Sequence, residues 1–96
     1  MKKLIVFYFR ISNFSTVKSN PLIFEKEWTF SDPLPLGTQY SPGGDSINCG
    51  DVCGYLFNEK ENIFTTQVSK TQDVHLNDVP KLKETMKNAG WSLLAG

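Results

Sequence analysis

Leu4 to Ile11 forms an almost unbroken apolar run, with Ile5, Val6, Phe7, Tyr8 and Phe9 in succession. β-branched and aromatic side chains without a polar alternation suit a strand covered on both faces, and therefore a central one. A polar connection over residues 12–20 follows and is closed by Pro21. From Leu22 the period becomes two. Leu22, Phe24, Lys26, Trp28 and Phe30 fall on one face, and Ile23, Glu25, Glu27 and Thr29 on the other. That alternation predicts a half-buried strand. The roughly nine residues between the two runs suffice for a loop but not for a crossover helix, which predicts antiparallel pairing.

Residues 31–51 contain three prolines and four glycines and show no period. They read as a long loop, and structureless connections beyond about 12–15 residues tend to be functional or disordered. Val52 to Phe57 and Asn62 to Ser69 are short strand-like runs around the polar Asn58-Glu59-Lys60-Glu61, the pattern of a β-hairpin. Asn77 or Asp78 can then cap a helix that carries Pro80 in its first turn and stops at Gly90. Val79, Leu82, Met86 and Ala89 share one face of it, and Lys81, Lys83, Glu84, Lys87 and Asn88 the other. With Gly90 at the left-handed position after the helix, Trp91 can pack back on Met86, as a Schellman motif favours. Trp91 to Leu94 reads as an anchored tail or a further edge strand. This order predicts an α+β, two-layer domain: a mainly antiparallel sheet of about four strands with one C-terminal helix on a face.

Composition narrows the class. A chain of 96 residues, 40% apolar and 12% aromatic, has material for a single core over 1–96 and too much apolar bulk for a disordered segment. Ten basic residues offset ten acidic ones, so the molecule lacks the basic excess that drives binding to nucleic-acid phosphates. The charge is uneven. Residues 27–59 carry Glu27, Asp32, Asp45, Asp51 and Glu59 with no Lys or Arg. The opening Met1-Lys2-Lys3 and its apolar run resemble a secretory signal, but Arg10 ends the run short of the roughly 7–15 apolar residues such a signal needs. No stretch approaches the roughly 18 apolar residues of a membrane span. A cytoplasmic protein with reduced Cys49 and Cys53 is expected on that basis.

Candidate chemistry is sparse. His75 is the sole histidine, and no nucleophile motif accompanies it. Cys49 and Cys53 are one loosely spaced pair, short of the four ligands of a structural zinc, so no metal and no cofactor is expected. Ser41-Pro42-Gly43-Gly44-Asp45-Ser46 offers unhindered backbone N–H groups, but no lysine stands beside it to neutralise an anion. Glu25 and Glu27, two apart on a strand, fit a solvated face.

These features predict a non-enzymatic binding protein that occupies a partner protein's surface, of the inhibitor, immunity or phage anti-defence type. Trp28, Tyr40 and Tyr55 are its expected aromatic anchors, and Asp45 and Asp51 its steering charges. A self-associating module holding a small molecule or nucleotide at Gly43, Gly44 and Ser46 is the alternative. Both readings allow a homo-oligomer, and neither involves nucleic acid or membrane.

Overall fold

The apolar run at the start of the chain becomes the strand around which the sheet is built. The computed structural model describes residues 1–12, 21–28, 34–42, 49–70 and 72–95. In it β1 (Lys2–Phe9) turns Ile5, Phe7 and Phe9 fully inward on one face, while Leu4 and Val6 are buried on the other. A strand with no polar face is stable only with a neighbour on either side. β3 (Leu22–Glu27) supplies one, antiparallel, with Phe7 opposite Phe24. β6 (Ile63–Ser69) supplies the other and runs parallel, with Phe7 opposite Val68.

The remaining strands extend this centre. Ile11–Ser12 (β2) and Val74–His75 (β7) form a short parallel ladder of their own. β4 (Gln39–Tyr40) and β5 (Gly50–Asn58) lie beyond β6, and β8 (Ser92–Ala95) lies beyond β3. The main sheet thus has the order β4-β5-β6-β1-β3-β8. Its helix, α1 (Val79–Asn88), follows a 3₁₀ turn at Leu76–Asp78. Leu82 and Met86 on its inner face join Ile5, Phe7, Phe9, Leu22, Phe24, Val52, Val68, Val74 and Trp91 in one core. Each such side chain removed from water contributes about 1.5–3 kcal/mol.

The helix end is fixed as the sequence predicts. Gly90 has φ of 90°. The Trp91 N–H donates to the Met86 carbonyl at 3.0 Å and the Gly90 N–H to the Lys87 carbonyl at 3.0 Å, the two bonds of a Schellman motif. This turn delivers Trp91, 4% exposed, into the core. Lys26 on β3 reaches across to donate to the Ala89 carbonyl at 3.2 Å, with its ammonium 5.8 Å from the Trp91 ring centre. One cation thus satisfies a helix-end carbonyl and lies against an aromatic ring.

The α+β class and the single C-terminal helix agree with the sequence reading; the sheet departs from it. Among the described residues it has six strands rather than about four, and although four of its five pairings are antiparallel, as a mainly antiparallel sheet requires, the central β1–β6 pairing is parallel and makes it mixed. Both departures have a local cause. β4 and β8 are too short to show a period, and the connection from β3 to β5 is long enough to bring the β5–β6 hairpin in with either direction against β1. Hydrophobic alternation specifies which face of a strand is buried, not the direction of its neighbour.

Candidate functional site

The aromatic residues divide into two groups with different surroundings. Trp28 and Tyr40 belong to the first. Both are half-buried and packed against the core, with ring centres 6.1 Å apart, and Tyr40 lies 6.3 Å from both Trp91 and Phe7. The Trp28–Tyr40 and Tyr40–Trp91 pairs are edge-to-face, a favourable arrangement for aromatic rings, and the Phe7–Tyr40 pair is tilted by 54°. Burial raises the Tyr40 phenol above its ordinary pKa of 10.0, because the anion loses hydration there. The sequence pattern predicts these two side chains as anchors for a partner; the structure gives them core contacts.

Tyr55 belongs to the second group, on the arm formed by β5 and β6. The bulge between Val52 and Gly54 leaves Cys53 as the extra residue, and regular pairing resumes at Gly54. Beyond it Tyr55 faces Thr66, Leu56 faces Thr65 and Phe57 faces Phe64. Tyr55 stacks on Phe64 at 5.6 Å and donates its hydroxyl hydrogen to the Leu34 carbonyl. The arm turns through Glu59–Asn62. Asn58 Oδ1 accepts from the Glu61 N–H at 3.1 Å, and Asn62 takes the left-handed conformation at φ 54° that asparagine tolerates.

Exposure marks this arm out. Tyr55, Leu56 and Phe57 are 39%, 56% and 49% exposed, three consecutive large apolar residues on a strand. Their part of β5 is also an edge among the described residues. β4 pairs only with Gly50 and Asp51, and the Gly37 N–H and Thr38 carbonyl take the Val52 backbone at 2.9 and 3.0 Å. Among the described residues, no strand pairs with the outer side of Gly54–Asn58. The sequence alternation shows the strand but not that its outer neighbour stops at residue 52, so the exposure of Leu56 beside the aromatic Tyr55 and Phe57 was not legible in the pattern.

Asp51 sits half-buried on β5, on a shallow groove of about 380 Å³ shared with Arg10, Cys53, Ser69 and Lys70. Its carboxylate therefore has two cationic residues in the same groove. Cys53 is exposed and donates weakly to the Gln67 carbonyl at 3.4 Å, whereas Cys49 is half-buried. Asp45 and the Gly43, Gly44 and Ser46 segment lie outside the described residues. A second cleft, of about 360 Å³, separates β7 from α1 and holds His75 with Lys70, Lys81, Asp73 and Asp78. Two lysines and two aspartates line it, so its formal charge balances. His75 Nδ1 accepts from the Asn77 N–H at 3.1 Å and so starts the 3₁₀ turn. Asp73 is ion-paired with Arg10 at 3.1 Å. Among the described residues, no three His, Cys, Asp or Glu side chains gather as a metal site. No helix among them is long and apolar enough to cross a membrane.

Comparison with protein-family models, with curated proteins and with solved structures finds no match to this chain.

Proposed function

We infer that the protein is a small non-enzymatic binding protein of the cytoplasm that acts by occupying the surface of another protein, as inhibitors, immunity proteins and phage anti-defence factors do. One observation carries this reading: Tyr55, Leu56 and Phe57 are exposed together on a stretch of strand whose outer side pairs with no strand among the described residues. Adjacent exposed apolar side chains mark interaction surfaces, and an open edge adds unpaired backbone donors and acceptors. Tyr55 and Phe57 share the face of Thr66 and Phe64 and serve as anchors, with Leu56 on the opposite face. Asp51, at the root of the arm, contributes steering charge. Trp28 and Tyr40, half-buried against the core, offer their remaining exposed edges as further anchors.

Affinity capture from the native host tests the reading when wild type is compared with the double variant Tyr55→Ser/Phe57→Ser. A partner held by wild type and lost by the variant, at unchanged fold by circular dichroism, is the expected result. Equal recovery by both would remove the arm from the function.

A further inference from the structure

Among the described residues the outer side of Gly54–Asn58 pairs with no strand, and this stretch fits a second copy of itself. We propose that Gly54–Asn58 of two molecules pair antiparallel about a two-fold axis at Leu56, making a homodimer whose sheet runs on through both arms and covers the surface assigned above to a partner. The inference rests on that reading of the arm as a protein-binding surface, and it names both its occupant and its regulation: a partner must displace the second copy.

Length is the first argument. On one side the open edge is bounded by Gly37 and Thr38, which take the backbone of Val52, and on the other by the Glu59–Asn62 turn. A two-fold at Leu56 sets Asn58 of one copy against Gly54 of the other. Each turn then begins where the neighbour's β4 segment closes the edge, so the paired stretch ends at both limits together.

Chemistry is the second. A two-fold normal to the sheet keeps each face on its own side, so Tyr55 stands opposite Phe57 of the second copy, and Leu56 opposite Leu56. Aromatic cross-strand pairs are among the favourable ones in antiparallel sheets. Gly54-Tyr55-Leu56-Phe57-Asn58 contains no charge and no proline, two devices by which edges commonly resist pairing. The chain's formal net charge of zero adds no long-range repulsion between copies.

Regularity is the third, and it distinguishes this edge from β8. Leu93 and Leu94 are also exposed there, but the β3–β8 register shifts between Ile23 and Phe24 and leaves Leu94 as the extra residue. A bulge twists an edge away from a new neighbour. The bulge of β5, at Cys53, lies outside its open stretch. Five residues a side are far fewer than the roughly 20–30 of a standard interface, so the dimer is weak, with a dissociation constant in the micromolar range.

Sedimentation equilibrium of the intact chain, from low-micromolar to near-millimolar concentration, tests this. Wild type is expected to rise from the mass of one chain toward that of two. Leu56→Lys and Leu56→Glu each put like charges opposite one another, raising the dissociation constant on the order of a hundredfold. Mixing the two variants sets Lys against Glu and restores the dimer. Leu94→Lys, on the far edge, leaves association as in wild type. Wild type that stays monomeric, or a Leu56→Lys variant that still dimerises, overturns the proposal. A mixture of the two folded variants that stays monomeric overturns the two-fold at Leu56. Partner capture by a monomeric wild type, lost in Tyr55→Ser/Phe57→Ser, would remove the dimer while leaving the binding function in place.

Discussion

Gly50 is the position where the sheet most narrowly limits the sequence, and Gly50→Ala tests the packing that holds the arm to the core. A Cβ built there lies 2.8 Å from the Ser69 carbonyl oxygen, 2.9 Å from the Ser69 carbonyl carbon and 3.0 Å from Phe7 Cζ. Ordinary contacts of this kind lie at about 3.5–4.0 Å, so either β5 or β6 must move by several tenths of an ångström or more. Ser69 is held in register by Asp51 on one side and Tyr8 on the other, and Phe7 is fully buried, so neither yields freely. Overpacking of this kind costs about 1–3 kcal/mol, and the upper end applies because two of the three atoms are backbone. The stiffer unfolded chain returns about 0.4–1 kcal/mol, leaving a net loss of about 2 kcal/mol. For a domain of this size that corresponds to a fall in Tm of about 8–16 °C. Thermal unfolding followed by circular dichroism, at dilute protein, measures it directly. Gly54→Ala is the control, since its Cβ would meet only Gln67 Oε1, the end of a side chain rather than backbone, at 3.0 Å, and its Tm should change by no more than a few degrees. A Gly50→Ala protein melting with wild type would refute the close approach of β5 to β6.

Other perturbations follow from the same packing. Gly90→Ala forces a side chain into φ of 90°, and the Schellman turn should lose about 1–2 kcal/mol, read by urea unfolding. Met86→Ala removes a fully buried side chain that bridges helix and sheet, with an expected loss of about 2–5 kcal/mol in the same assay. Tyr40 has its folded pKa raised by burial, so its unfolded form binds fewer protons between the two values and stability falls as pH rises from about 10 through the folded pKa. Tyr40→Phe should flatten that alkaline decline in a series of melts against pH, and an unchanged slope would assign the decline to another group.

The central strand, its antiparallel partner, the β5–β6 hairpin, the helix and the turn at Gly90 were all legible because each has a period or a terminus signal of its own. Gly90 and Trp91 show this most clearly: spacing alone assigned them to the cap, and both cap hydrogen bonds are present. The parallel β1–β6 pairing was hidden, since Val68 alternates identically whichever way its neighbour runs. Tyr40 shows a second gap. It lies in a glycine- and proline-rich stretch without a period, yet the short β4 ladder to Gly50 brings its ring between Trp28 and Trp91. Exposure of Leu56 depended on where β4 stops, a tertiary fact with no local signature. Tyr55 was singled out from the sequence, and the structure adds the open edge beside it.

Pairing at the arm requires the backbone of residues 54–58 to act as a docking edge, and amide hydrogen exchange reads that backbone directly. Exchange measured residue by residue in dilute and concentrated protein should show amides within 54–58 slowing as concentration rises, with no such change in Leu56→Lys. Equal exchange at both concentrations throughout the arm, or slowing confined to β8, would contradict it.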